Sequence, residues 1–372
     1  GAAGLSQLRV LAHCSCRAYE DLLTVEMLRE PECGGLQSGC GLETFELVFA
    51  TCDEATDTHC FIGTYTVPAT HHNPAHNVAV LSFRGTVSIR NARTDLDFRL
   101  VQPTLPGVCD RQASKGVEGV YIHRGFQEAI FAVRDQVIET IAGLQVDAVW
   151  CTGHSLGGAL ATLAAVELRG VLPPGQVVSV CTFGSPKVGN RAFKRLFAKC
   201  ARESIRVVCE SDPIATTPWG WMGGRPWDTY THVPGLVRVY RNGHLVVRPT
   251  VVEEMLRYIW RATFFVLSCL LKPSDLSKHL LANYVGSMYA AQILEAGGNP
   301  HVDNEGMSVP PIFVPTSFAP RGLTVLADPG PAPLPGGLPS GWTITAPSQV
   351  ELSTSRSSSE KGPGSKPGTG VA

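Results

Sequence analysis

Residues 146–168 read VDAVWCTGHSLGGALATLAAVEL, and the reading of the fold starts there. Val146 to Thr152 is a short apolar run, the pattern of a strand covered on both faces. Leu156 to Leu168 is apolar nearly all round, as in a buried helix. Between them stands Gly153-His154-Ser155-Leu156-Gly157, followed by Gly158-Ala159-Leu160. As a bare pattern GxSxG is weak, because a chain rich in Gly and Ser produces it by chance. Its place on a strand-to-helix turn makes it specific. A serine on so sharp a turn points its hydroxyl away from the sheet, and side chains two residues before and after it would strike the neighbouring strand and helix. Gly153 and Gly157 occupy those places. The helix N-terminus then aims backbone N–H groups and a partial positive charge at the hydroxyl, where an oxyanion forms in acyl transfer. The bland alternative is a glycine turn carrying an idle serine.

The chain on either side repeats the alternation. Val78 to Phe83, Val177 to Phe183 and Ser204 to Glu210 read as strands, and Phe126 to Ala142 and Ala192 to Lys199 as one-faced helices. Such alternation predicts an α/β fold with a mostly parallel sheet and helices on both faces. Phe45 to Ala50 and Phe61 to Val67 add strands, and Ser6 to Leu28 adds one helix or two short ones. Val237 to Arg241 and Leu245 to Arg248 flank Asn242-Gly243, a hairpin signal. Residues 327–372 are dominated by Pro, Gly and Ser and read as a disordered tail. The expected division is a helical, cysteine-rich segment over 1–60, a core domain over 61–326 and the tail.

Composition narrows the classes of function. With 44% apolar and 17% charged residues over 372 positions, the chain can bury a substantial core. A formal net charge of -1 gives no reason to expect nucleic acid or an anionic membrane as partner. Twelve cysteines lean toward an oxidising compartment, hence a secretory route. Cys52 with Cys60 is the best disulfide candidate, whereas Cys151 and Cys181 lie in apolar runs and read as small buried hydrophobes. No CxxC pair occurs, which argues against structural zinc. Tyr258 to Leu271 is the longest apolar stretch, shorter than the roughly 20 residues that span a bilayer. It reads as a buried helix, with a segment resting on lipid as the alternative.

A serine nucleophile needs a base, and the base needs a carboxylate to orient it. For the carboxylate Asp212 is favoured, since it follows a strand and precedes Pro213, at the sheet edge where open α/β folds bind ligands. Glu210 and Asp228 are its rivals. For the base, His244 follows a hairpin turn and His301 sits in a polar loop, which leaves His232 and His279. Position alone slightly favours His279, at the start of a helix expected over Leu276 to Leu294.

Several motifs in order resemble the class 3, fungal-type triacylglycerol lipases of the α/β-hydrolase superfamily, over roughly Val78 to Tyr289. They are Phe83-Arg84-Gly85-Thr86 with Asn91 and Asp95-Leu96, His123-Arg124-Gly125-Phe126, the Gly153 to Gly157 turn, Thr182 to Asn190 (TFGSPKVGN), Asp212-Pro213, Tyr230 to Gly235, and His279 with Tyr284. The resemblance implies an α/β-hydrolase fold and a lipase with Ser155, Asp212 and His279 as its catalytic residues, His232 being structural. It further implies an oxyanion hole from Thr86 and Leu156, and a lid that includes Ser88, Ile89, Arg90, Asn91, Ala92 and Arg93. Ala92 stands where the family often carries Trp, and with Arg90 and Arg93 it makes the lid more polar. The chemistry needs no metal or organic cofactor. The expected partners are a lipid or other ester substrate and a transient contact with a membrane or lipid-droplet surface. Two other readings compete with an acylglycerol lipase. One is a hydrolase of another ester, such as a phospholipid or a feruloyl ester, and the other is an inactive hydrolase fold that only binds lipid.

Overall fold

The computed structural model describes residues 2–20, 23–29, 42–69, 74–86, 98–114, 116–209, 212–218, 229–247, 279–295 and 353–354. Among them runs a nine-stranded sheet in the order β12-β11-β9-β7-β6-β3-β2-β1-β13. Its centre is β3 (His76–Phe83), β6 (Ala148–His154), β7 (Val177–Phe183), β9 (Ser204–Cys209) and β11 (Leu236–Val239). These five are mutually parallel. Antiparallel neighbours β2 (Thr58–Val67) and β1 (Glu46–Asp53) extend one side, and β12 (Leu245–Val247) the other. This is the mostly parallel α/β sheet expected from the alternation of strands and helices, and it agrees with the α/β-hydrolase fold that the resemblance implies. A second, four-stranded sheet of two-residue strands joins β4 (Leu100–Val101), β5 (Ile122–His123), β8 (Gly189–Asn190) and β10 (Tyr230–Thr231).

Each face of the large sheet carries its own apolar cluster, because side chains alternate along a strand. Ala79, Leu81, Phe83, Val149, Cys151, Val178 and Val180 point to one face. There they meet α3 (Pro106–Ser114), α4 (Arg124–Ala142), α5 (Leu156–Val171) and α6 (Arg191–Cys200). Val78, Val80, Trp150, Cys181 and Phe183 point to the other, under α1 (Ala2–Arg17), α2 (Val25–Arg29) and α7 (Leu281–Glu295). Cys151 and Cys181 are fully buried, as their apolar surroundings predict. The N-terminal stretch expected as one helix or two is two. Because β1 starts at Glu46 and pairs with β2, the large sheet already includes residues on the N-terminal side of position 61. At the far edge Ser353 and Thr354 form β13, a parallel pair with Thr51 and Cys52 of β1. The rest of 327–372 lies outside the described residues, as do Tyr258 to Leu271. No helix among the described residues is long and apolar enough to cross a membrane.

The disulfide expected between Cys52 and Cys60 is absent, and strand register explains why. Cys52 lies opposite His59 and Cys60 opposite Thr51. Partners directly across a ladder share a face, so the two cysteines point to opposite faces of the sheet. Both are free thiols; Cys52 Sγ lies 3.0 Å from Nε2 of His59. Burial pushes the thiol of Cys60 up to about 12.

On the α4–α5 side one charge is buried. Glu167 of α5 is 2% exposed and accepts the N–H groups of Gly107 (3.2 Å) and Val108 (2.7 Å) at the start of α3. Arg134 of α4 donates to the same carboxylate at 2.5 Å. One side chain therefore joins three helices, satisfying two N–H groups that the first turn of α3 leaves without helical partners. Glu167→Ala should cost about 2 kcal/mol of unfolding free energy, since it leaves two amides unsatisfied and takes one of two carboxylates from the partly buried Arg134, which keeps Asp135. Urea denaturation will read this as a lower midpoint at unchanged slope, and a loss below about 1 kcal/mol would show that the pair contributes little.

Candidate active site

The C-terminal ends of the parallel strands meet at one edge of the sheet, and four of them supply the site. Strand β6 ends at His154 and the chain turns at Ser155, which has φ 57° and ψ −125°, into α5. The turn is as tight as the glycine pattern implies. A Cβ on Gly157 would lie 2.2 Å from the carbonyl oxygen of Phe83, and one on Gly153 would lie 2.4 Å from the backbone of Gly157. Ser155 N–H donates to the Phe183 carbonyl at 2.9 Å, tying the turn to the end of β7.

Asp212 follows β9 and is fully buried. Its Oδ1 accepts the N–H of Ile214 (2.8 Å) and Ala215 (3.4 Å), so it also caps the short 3-10 turn Ile214–Thr216. Its Oδ2 accepts Nδ1–H of His279 at 2.7 Å and the hydroxyl of Tyr284 in α7. The opposite nitrogen of His279, Nε2, lies 2.8 Å from Ser155 Oγ. Since Nδ1 must carry the proton it gives to the carboxylate, neutral His279 presents a lone pair to the serine hydroxyl. Burial pushes the Asp212 carboxyl up, but the charge and hydrogen bond of His279 and the hydroxyl of Tyr284 outweigh it. The carboxyl is left below its ordinary value. Burial and the neighbouring Asp212 charge push the Tyr284 phenol well up, so it stays a donor.

The loop that bears Asp212 is held from below by Lys187, to which the sequence assigns no role, and by His232, which the resemblance marks as structural. Lys187 donates to the carbonyls of Thr216 (2.6 Å) and Pro218 (3.1 Å), and His232 Nε2 to that of Ala215 (2.5 Å). Burial and the Arg206 charge lower the Lys187 ammonium to about 8. His232 is thus a support of the loop that bears Asp212. His244 is exposed on its hairpin turn. Glu210, Asp228 and His301 lie outside the described residues. His279 stands two residues ahead of the helix that begins at Leu281; positions 276–278, where a helix start was expected, lie outside the described residues. Gly184 lies within the Thr182 to Asn190 segment, where nothing in the sequence sets it apart. It has φ +62°, and a Cβ there would lie 2.8 Å from Asp212 Oδ2 and 3.0 Å from His279 Cε1. Its smallness makes the room in which acid and base meet.

Beside the serine runs the segment after β3. A Cβ on Gly85 would come 3.2 Å from Ser155 Cβ, so the chain that continues to Thr86 passes directly against the turn. Thr86 is partly exposed, and Leu156 opens α5. Arg84 is 7% exposed; its guanidinium pairs with Asp57, and its N–H donates to the His59 carbonyl at 3.0 Å. The lid expected at Ser88, Ile89, Arg90, Asn91, Ala92 and Arg93 lies outside the described residues. Among the described residues no group of three or more His, Cys, Asp or Glu side chains could hold a metal ion.

An α/β-hydrolase sheet whose edge presents a serine, an imidazole and a carboxylate in series defines a hydrolase-type centre. Residues 80–220 match the model of the lipase (class 3) family. Among known proteins, the chain is 34% identical over 186 residues to "Phospholipase A(1) DAD1, chloroplastic" of Arabidopsis thaliana, covering 47% of this chain and 41% of that protein. It is 34% identical over 162 residues to "Secreted mono- and diacylglycerol lipase A" of Penicillium cyclopium, covering 42% and 47% respectively. The chain thus spans less than half the length of these relatives. A solved triacylglycerol lipase from Penicillium expansum superposes with a TM-score of 0.49 at 22% identity, covering 67% of this chain and 85% of that one.

Buried neutral histidines make the domain sensitive to acid. Burial, with the nearby Arg17 charge, lowers His13 to about 4, and burial with His279 lowers His154 to about 3. Unfolded histidine titrates near ~6.5. Between these values the unfolded chain binds protons that the folded one refuses, so stability falls as pH drops from about 6.5 toward about 4. Asp212, depressed in the fold, adds stability above its unfolded pKa that is lost as pH falls further, through its folded value. The urea midpoint should fall between pH 7 and pH 4, and the fall should be shallower in His13→Gln and in His154→Gln. Equal slopes in all three proteins would exclude these histidines as the cause.

Proposed function

We propose that this domain hydrolyses carboxylic esters of acylglycerols through Ser155, His279 and Asp212 and a covalent acyl-enzyme. The observation that carries this reading is the position of His279, 2.8 Å from the serine oxygen on one side and 2.7 Å from a buried carboxylate on the other. Ser155 Oγ attacks the ester carbonyl carbon while His279 Nε2 takes the hydroxyl proton. Asp212, ionised because of its neighbours, orients the ring and stabilises the imidazolium. The N–H groups of Thr86 and Leu156 receive the oxyanion, with the α5 N-terminus adding its partial charge. The imidazolium gives its proton to the departing alcohol. Water, deprotonated by the same nitrogen, then cleaves the acyl-enzyme and restores Ser155. Segment 88–93 is proposed as the lid over this site.

Acylglycerols are favoured by the match of residues 80–220 to the lipase (class 3) model and by the fungal relatives, which are named mono- and diacylglycerol lipases. A second reading, cleavage of a phospholipid acyl ester, is favoured by the relative named a phospholipase A(1). The intact series of serine, imidazole and carboxylate speaks against a fold retained only to bind lipid. On compartment the relatives divide, the fungal ones being named secreted and the plant ones chloroplastic. The free thiols of Cys52 and Cys60 remove one ground for a secretory route.

A fluorophosphonate probe should label Ser155 in the wild type and fail on Ser155→Ala, whose kcat should fall by roughly 10⁴–10⁶. Retention of ester hydrolysis by pure Ser155→Ala would end the mechanism. Rates on triolein, a diacylglycerol, phosphatidylcholine and a short p-nitrophenyl ester then separate the substrates. The acylglycerols should lead, and faster cleavage of phosphatidylcholine would move the assignment to the second reading.

A further inference from the structure

Tyr19 comes from the turn just after α1, far from the serine in sequence and outside residues 80–220 that match the family. Yet it is 5% exposed, and its hydroxyl lies 2.9 Å from Nδ1 of His154, the residue before the serine. On the other side of the same ring, His154 Nε2 lies 2.7 Å from the backbone carbonyl oxygen of His279. The two imidazoles lie tilted against each other, centroids 4.6 Å apart and planes at 33°.

Proton positions follow from what each atom can do. The His279 carbonyl only accepts, so His154 Nε2 carries a hydrogen. Burial keeps His154 neutral down to about 3, so its Nδ1 holds a lone pair. Tyr19 must therefore donate to Nδ1. The Tyr19 hydroxyl also packs against Gly85, in the segment that leads to Thr86. The fit there leaves no slack, since a Cβ on Gly85 would stand 2.2 Å from the Tyr19 oxygen. Around Tyr19, α1 is fixed to the sheet by hydroxyl contacts: Ser15 Oγ lies 3.0 Å from Thr152 Oγ1, and Ser82 Oγ donates to the Cys14 carbonyl at 3.0 Å.

We infer that Tyr19 is a positioning residue for the ester-cleaving centre, its hydroxyl fixing the ring of His154 so that His154 holds the His279 backbone while the contact of Tyr19 with Gly85 keeps that segment beside Ser155. This rests on the proposed role of Ser155 and His279. Without the hydroxyl, the Nδ1 lone pair of His154 is buried with no donor and the ring is held at one end only, by the His279 carbonyl at 2.7 Å. The ring can then turn, and the segment carrying His279 loses a fixed anchor. The loss falls on proton transfer from Ser155, not on binding of the acyl chain, so kcat should fall with KM nearly unchanged.

The test uses the full chain, a p-nitrophenyl ester for kcat and KM, and the fluorophosphonate for the reactivity of Ser155. Tyr19→Phe should lower kcat and the labelling rate together by about 10- to 100-fold, with KM within about twofold. The two amides at position 154 should split. In His154→Gln the amide nitrogen takes the place of Nε2 and still donates to the His279 carbonyl, so most activity should remain. In His154→Asn that donor is missing, and the loss should match that of Tyr19→Phe. Tyr19→Phe should also cost less in the His154→Gln background than in the wild type, since only the Gly85 contact is left to lose.

A Tyr19→Phe enzyme within twofold of wild type, or one whose KM alone rises, overturns the inference. If Tyr19→Phe does not fold, the amide pair decides, and equal losses in Gln and Asn overturn it. If the wild type hydrolyses the ester and labels at Ser155 in any of these cases, this inference fails alone. If the wild type does not label and Ser155→Ala still hydrolyses, the proposed mechanism has failed and takes this inference with it.

Discussion

A non-glycine residue in the left-handed backbone region costs on the order of 1–3 kcal/mol, and it persists only where its surroundings over-determine it. Ser155, at φ 57°, is such a residue. What holds it is visible in its neighbours. The Ser155 N–H is spent on the Phe183 carbonyl, Gly153 and Gly157 close to distances that no side chain permits, and α5 is buried along nearly its whole length. The strain is confined to the point where a strand buried on both faces becomes a buried helix. Neither element can shift without opening a cluster of the core. That constraint fixes the serine oxygen, and every other group of the site is placed relative to it.

Burial then supplies the electrostatics. A carboxylate with no solvent exposure is costly unless its lone pairs are taken. Those of Asp212 are taken by two backbone N–H groups, an imidazole and a phenol. The same bonds that allow the charge to be buried also orient His279, so solvation of the acid and alignment of the base are one problem with one solution. Gly184 is part of that solution through absence: a side chain there would occupy the space in which Asp212, His279 and Tyr284 converge.

Much of this was legible in the sequence because it depends on local pattern. The central strands Val78 to Phe83 and Val177 to Phe183 are continuous apolar runs, and the structure gives β3 and β7 almost the same bounds. The turn at Ser155 is written in glycines on both sides. Asp212 was legible from strand end and proline together. What was not legible depends on register or on distance. The faces of Cys52 and Cys60 follow from a hairpin register that no spacing rule gives, and the apparent disulfide pair dissolved once that register was known. The two-residue strands of the small sheet carry no periodicity to detect. Tyr284 was noted beside His279, but its bond to Asp212 joins residues 72 apart in sequence, and that of Tyr19 to His154 joins residues 135 apart. No local signal marks either phenol as different from an ordinary buried tyrosine.

The segment matched to the family, residues 80–220, holds the serine, the acid and the strands between them, but the folded site does not stop at those limits. The imidazole on Ser155 lies at 279, the phenol on Asp212 at 284, and the phenol on His154 at 19. α1 and α7 cover the same face of the sheet and share one apolar cluster with Trp150, Phe183 and Tyr284. Packing on that face therefore sets how the base segment stands over the turn at Ser155. The helices on that face lie wholly outside the matched segment, yet they are packed where His279 comes within hydrogen-bonding distance of Ser155.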